Sequence, residues 1–181
     1  FNTVYLSQPN SELRIVSGEL LSIPTSSAQR QSHVIDTFLS SLADQQGDRS
    51  VGIILSGAGS DGTIGLKAIS DRGGLTFAQE PASAKYESMP QSAASTGVAD
   101  HVLKPREIAA ELLKYVSHLR AITPESVHAC NHEEIAEAIP AIAEILCRFT
   151  QHNFQHYKTS TLVRRIQRRM QVARIEQPSQ Y

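Results

Sequence analysis

Apolar residues change their spacing along the chain in a way that marks alternating strands and helices. Ile35, Phe38, Leu39 and Leu42 recur at helical intervals and predict a helix over roughly residues 33–46. The run VGIIL (51–55) is short and continuously apolar, which predicts a strand covered on both faces. LTFAQ (75–79) reads as a second buried strand and VADHVL (98–103) as a third, shorter one. Between them, TIGLKAISDR predicts a helix ended by Gly73-Gly74. A loop around Pro81 and Met89-Pro90 then leads into a short helix, QSAAST, closed by Gly97. Pro105 opens a further helix whose Ile108, Leu112, Val116 and Leu119 form one apolar stripe. Upstream, VYLSQPNSELRIVSGELLSI is hairpin-rich, with turns at Pro9-Asn10 and Ser17-Gly18. Strands and helices alternating at this spacing imply parallel βαβ units in a three-layer sandwich. The expected fold is therefore α/β, a partial doubly wound, mostly parallel sheet preceded by a β-hairpin region.

The pattern then turns helical throughout. Ile142, Ile145, Leu146 and Phe149 sit at i, i+3, i+4 and i+7, with Pro140 in the expected opening turn. A later helix at 161–173 turns Leu162, Val163, Ile166, Met170 and Ala173 to one side, and Arg164, Arg165, Arg168 and Arg169 to the other. Charge marks the same change. Residues 121–147 hold Glu125, Glu133, Glu134, Glu137 and Glu144 and no Lys or Arg, whereas 148–174 hold seven basic side chains and no acid. Such a reversal suggests a change of module, at the Ile122-Thr123-Pro124 break. The expected organisation is an α/β part over 1–120, an acidic linker or helix over 121–139, and a small all-α module over 140–181.

Composition narrows the function classes. The 181 residues are 40% hydrophobic and carry a net charge of −1, which suits a packed core and argues against coating nucleic acid by bulk charge. Cys130 and Cys147 cannot make a disulfide framework, so a reducing cytoplasm is the expected location. No run approaches the roughly 18–20 apolar residues of a membrane span, and no signal peptide is visible. The chain begins without Met and reads as a fragment of something longer.

The segment VGIILSGAGSDGTIG carries the richest chemistry. Gly57-Ala58-Gly59-Ser60-Asp61-Gly62 spells G-x-G-x-x-G between a strand and a helix, with Glu80 at the end of the next strand. As a pattern this is a dinucleotide-binding fingerprint, with pyrophosphate seated on the helix N-terminus. Asp61 opposes that reading, because a fixed carboxylate there repels a phosphate. Thr63 occupies the Lys position of a P-loop, so that motif fails. Two readings remain for Asp61: a cap on the helix from Thr63 onward, or a working acid at the carboxyl end of a parallel strand. In the second role it accepts the Nδ1–H of a catalytic His and stabilises the imidazolium.

These residues carry a resemblance. VGIILSGAGSDGTIGLKAIS, GGLTFAQEP, Ser88-Met89-Pro90 and AASTGVADHVL resemble the C-terminal half of the bacterial chemotaxis protein-glutamate methylesterase domain, and NTVYLSQPNSELRIVSGEL and RQSHVIDTFLSSLA extend the likeness over roughly residues 2–119. The resemblance implies hydrolysis of γ-glutamyl methyl esters on chemoreceptors, with release of methanol and no cofactor. It implies that Asp61 is the acid of a Ser-His-Asp triad. It also implies an active-site loop of Gly57, Ala58, Gly59, Gly62, Met89 and Pro90, in which the Ala58 amide serves an oxyanion hole. Chemotaxis members often carry Met where Ala58 stands, a difference of side-chain packing that leaves the amide in place. The family's nucleophilic Ser and its His lie before the matched segment, and His33, beside Asp36, does not match that His. The chain as given is expected to be inactive alone.

FTQHNFQHYKTSTLVRRIQRRM resembles the N-terminal helical subdomain of the chemotaxis receptor methyltransferase, over roughly residues 140–176. The joint resemblance implies a bifunctional adaptation protein. S-adenosylmethionine would serve a domain absent from this sequence, and Arg165, Arg168 and Arg169 would meet the acidic methylation helices of the receptor. At about 100° per residue, the four arginines cover an arc of roughly 140°. A non-catalytic partner-binding module and a dinucleotide-binding domain are the competing readings. Expected partners exclude nucleic acid and membrane, and a homodimer is one way to cover open strand edges. No metal is expected: His128, Cys130 and His132 fit no standard zinc spacing, and Asn153 stands where a His152–His156 zinc protease needs Glu.

Overall fold

The computed structural model describes residues 3–24, 33–121, 130–150, 159–173, 175 and 177–181. It divides into two compact units, 1–109 and 110–181.

In the first unit, strands β1 (Ser11–Val16) and β2 (Glu19–Pro24) pair antiparallel, with Val16 opposite Glu19. Ser17 and Gly18 both take positive φ, the conformation that a two-residue hairpin turn needs to match strand twist. Helix α1 (Val34–Gln46) packs on β1, where the Ile15 N–H donates to Ser41 Oγ at 3.0 Å. Strand β3 (Val51–Ile54), helix α2 (Thr63–Asp71) and strand β4 (Leu75–Gln79) form a βαβ unit, and β5 (His101–Leu103) completes a parallel sheet in the order β3-β4-β5. All five residues of β4 are buried, as befits the centre of a parallel sheet.

The edge strands differ from expectation. On β3, Gly52 and Ile54 are buried against the helices, while Ile53, and Leu55 just past the strand, are exposed (36% and 47%). Coverage is therefore one-sided, because β3 borders the sheet and the helices packed on it, α2 among them, meet its Gly52 face. β5 is shorter than its apolar run because residues 98–100 bond a side chain instead of a ladder. Thr76 Oγ1 donates to the Val98 carbonyl at 2.8 Å, and the Thr76 N–H donates to Asp100 Oδ2 at 2.9 Å.

Helix α3 (Ser88–Ser95) also begins earlier than expected, taking Met89-Pro90 out of the loop and into its first turn. Proline is tolerated there because first-turn amides have no intrahelical acceptor. Helix α4 (Pro105–Ala121) has Pro105 at its start, with Ile108 and Tyr115 buried and Leu112 and Val116 half-buried. The first unit's core joins Leu39, Ala43, Ile54, Leu66, Ile69, Ala78 and Ala93.

The second unit contains helices α5 (Cys130–Thr150) and α6 (Thr159–Ala173). Pro140 lies inside α5 and does not open it. The buried stripe is accordingly displaced: Ile135, Ile139 and Ile142 meet Val163, Ile166 and Met170, while Ile145 and Phe149 are exposed. Ile135 and Ile139 extend the apolar face N-terminally at helical spacing, and their burial carries the helix through the proline. Ala173 is exposed, so α6 buries a narrower face than its apolar pattern suggested. The Ile122–Pro124 break, His128, His152 and His156 lie outside the described residues, as do the side chains of Cys130, His132, Arg164 and Arg168. Among the described residues, no helix is long and apolar enough to cross a membrane.

Candidate active site

The glycine loop leaves the carboxyl end of β3 and enters α2 through Gly62, whose φ of +94° a side chain would resist. A Cβ on Gly62 would also stand 2.5 Å from Ile54 Cδ1. These two demands fix the direction in which Asp61 leaves the loop.

Asp61 does not cap α2. Its Oδ2 accepts the Ile35 N–H at 3.0 Å and its Oδ1 accepts the Asp36 N–H at 2.9 Å, so it satisfies two free amides at the start of α1. Asp36 returns the arrangement: its Oδ1 accepts the Gly65 N–H in the first turn of α2 at 2.8 Å. α2 thus receives its acid from α1, and α1 receives its acid from the loop that leads into α2. The crossing is close enough for this because Gly65 has no side chain; a Cβ there would lie 2.6 Å from Leu39 Cβ and 2.9 Å from the Asp36 carbonyl oxygen. His33 is the N-cap residue of α1, and its Nδ1 lies 3.3 Å from Asp36 Oδ2.

His33, Asp36 and Asp61 bring one potential metal-ligand atom each within 4.8 Å of one another. Each of the four carboxylate oxygens has one hydrogen-bond partner, a main-chain N–H for three of them, so both acids serve helix starts. The same bonds bear on the dinucleotide pattern. The Gly65 amide, which a pyrophosphate on this helix end would use, already donates to a carboxylate, and Asp61 adds a second negative charge beside it.

The other half of the loop is stitched to residues 79–89. The Gly57 N–H donates to the Tyr86 carbonyl at 3.0 Å, and the Gly57 carbonyl accepts the Met89 N–H at 3.1 Å. Met89 lies over Gly57, where a Cβ would meet its Sδ at 2.3 Å. Gln79, buried at the end of β4, accepts the Ser56 N–H through Oε1 and donates through Nε2 to the Ser83 carbonyl. Ser56 Oγ accepts the Tyr86 N–H at 2.9 Å. Ser88 Oγ accepts the Gly59 N–H at 3.0 Å and donates to the Gly57 carbonyl at 3.3 Å. Between these two anchored glycines, exposed Ala58 keeps an N–H with no acceptor among the described residues.

Gly57, Ala58, Gly59, Met89 and buried Pro90 therefore share one loop cluster, and Asp61 and Gly62 stand at its α2 end. Arg165 and Arg169 are exposed on α6 in the other unit. Asp36, Ser56, Gln79 and Ser88 hold the loop, yet their sequence signals are weak. Asp36 is an acid in a first helical turn and Gln79 a polar residue closing a buried strand.

A parallel strand, a glycine loop and a helix, with an acid fixed at the strand's carboxyl end, define an α/β domain of the kind that places chemistry at strand tips. Residues 1–112 match the family model described as CheB methylesterase, and the chain belongs to that family. Residues 137–181 match the model described as CheR methyltransferase, all-alpha domain. An uncharacterized 104.1 kDa protein in the hypE 3' region of Rhodobacter capsulatus is 33% identical over 99% of this chain and 21% of its own length. Protein-glutamate methylesterase FrzG of Myxococcus xanthus is 37% identical over 63% of this chain and 34% of its own. The catalytic domain of the CheB methylesterase of Thermotoga maritima is 26% identical over 58% of this chain and 57% of that domain, with a TM-score of 0.49. The chain thus spans between one fifth and about one third of the length of these two curated relatives.

Proposed function

We propose that this chain supplies the acid and one oxyanion amide to a Ser-His-Asp hydrolysis of glutamyl methyl esters on chemoreceptors, as part of a protein that also methylates receptor glutamates. The observation that carries the reading is the fixation of Asp61 by two α1 amides at the tip of β3. Each carboxylate oxygen keeps a second lone pair, and Asp61 is only half-buried, so an imidazole can still approach it. Asp61 then accepts the Nδ1–H of a His from outside these residues, holding Nε2 free to take the proton of the nucleophilic Ser. The Ser oxygen attacks the ester carbonyl, whose developing charge meets the Ala58 N–H. The imidazolium returns its proton to the departing methanol, and water hydrolyses the acyl-enzyme to glutamate.

Asp61, Gly57, Ala58, Gly59, Gly62, Met89 and Pro90 form the part of the site contributed here. Ser and His are not among the residues assigned, so the 181-residue chain alone is expected to release no methanol from methylated receptor above the uncatalysed rate. Gas-chromatographic detection of methanol checks this, and turnover by the isolated chain overturns it.

A second reading, receptor docking, is favoured by α6. Arg165 and Arg169 are exposed one turn apart, opposite buried Val163, Ile166 and Met170. Both suit the acidic methylation helices of a receptor. Replacing Arg165 and Arg169 together by Glu is expected to weaken binding of a Glu-rich receptor peptide about tenfold, with a smaller loss at high salt. Fluorescence anisotropy at two salt concentrations measures both. Residues 130–181 contain no glycine, and among the described ones there is no strand end, so they do not fit S-adenosylmethionine by themselves, and no step here runs through it.

A further inference from the structure

Anchoring around Ala58 is unequal on its two sides, and the difference singles out one hydroxyl. Gly57 is held through both its backbone groups, by the Tyr86 carbonyl and the Met89 amide, and by the packed Met89 side chain. Gly59 has one hold, the 3.0 Å bond from its N–H to Ser88 Oγ. Its φ of +89° lies where glycine moves freely, and a Cβ there would meet nothing within 4 Å. Neither packing nor backbone stiffness therefore fixes the peptide after Ala58.

We infer that Ser88 is a positioning residue for the Ala58 amide. Its hydroxyl donates to the Gly57 carbonyl, whose peptide plane contains the Ala58 N–H, and accepts the Gly59 N–H of the next peptide, so it ties together the two peptides that meet at Ala58. One hydroxyl has one proton and two lone pairs, so it makes both bonds together. Ser88 is also the first residue of α3, whose second and third residues, Met89 and Pro90, are packed, so the hydroxyl is presented from a fixed point. An oxyanion donor acts through prior placement, and a displacement of the order of 1 Å removes much of its effect. This assignment rests on the proposed ester hydrolysis for its consequence, but not for its geometry.

The test has two arms that separate the two ideas. In the 181-residue chain, Ser88→Ala is expected to speed hydrogen exchange of the Gly59 amide about tenfold while leaving the Gly57 and Met89 amides unchanged, and Ser88→Thr is expected to restore protection. In the longer protein that carries the Ser and His, Ser88→Ala is expected to lower kcat about tenfold at constant KM, with Ser88→Thr recovering most of it. Asp61→Asn is assayed beside them. Full activity in Asp61→Asn removes the hydrolysis reading, and the Gly59 exchange result is then judged by itself. Unchanged Gly59 exchange in Ser88→Ala, or unchanged kcat in a protein that Asp61→Asn silences, overturns the assignment of Ser88.

Discussion

On the proposed reading, Asp61→Asn is expected to lower methyl-ester hydrolysis about ten-thousandfold in a protein that carries the partner Ser and His, with a much smaller effect on folding. The asymmetry follows from what the side chain touches. Both oxygens of Asp61 accept main-chain N–H groups, from Ile35 and Asp36. An asparagine supplies one oxygen and one NH2, and the NH2 turns a donor toward one of those two donors. One bond to the start of α1 is lost, costing about 1–2 kcal/mol as a lost cap does. In the proposed triad, the imidazole also loses the negative charge that stabilises its protonated form and the acceptor that sets its tautomer. Methanol release and a thermal melt, measured together, decide the matter. Near-normal turnover in a folded Asp61→Asn protein would remove Asp61 from the chemistry.

The second large effect is structural. Gly65→Ala is expected to destabilise the first unit by about 2 kcal/mol, and Gly65→Leu to abolish its cooperative transition. An added Cβ stands 2.6 Å from Leu39 Cβ, 2.9 Å from the Asp36 carbonyl oxygen and 3.0 Å from Asp36 Cα. Two of these atoms are α1 backbone, so relief requires the helices to separate. Separation lengthens the bond from the Gly65 N–H to Asp36 and draws Asp61 from its amides, and these losses exceed the roughly 1 kcal/mol that alanine gains in helix propensity. Calorimetry is expected to show the first unit of the alanine variant melting about 8–12 °C lower. A melt equal to that of the unsubstituted chain would show that the α1–α2 contact is looser than described.

What the sequence made legible follows the range of the forces involved. β4 was readable because four apolar or small residues, closed by Gln79, lie between a glycine pair and a proline turn, all local signals. Pro105 as a helix start was readable for the same reason. The exposed face of β3 was not, because VGIIL reads alike at the centre and at the edge of a sheet. Pro140 looked like a helix start since prolines favour first turns, and burial of Ile135 and Ile139 against Val163 and Ile166 overrode that preference. Asp61 was visible as an acid at a strand tip. Its partners were not, since they lie 25 and 26 residues upstream and come into reach across a glycine in the next helix. Asp36 lies in the first turn of its own helix, and nothing local in the sequence marks the Gly65 amide as its partner.

Reciprocal donation between α1 and α2 has a kinetic consequence. If the first turn of either helix unwinds, the other loses the carboxylate that neutralises its opening amides, so neither end can fray by itself. Ile35, Asp36 and Gly65 should open to solvent in one concerted fluctuation. A perturbation felt at the glycine loop would then be transmitted to the far helix at once, making the pair behave as a single mechanical joint.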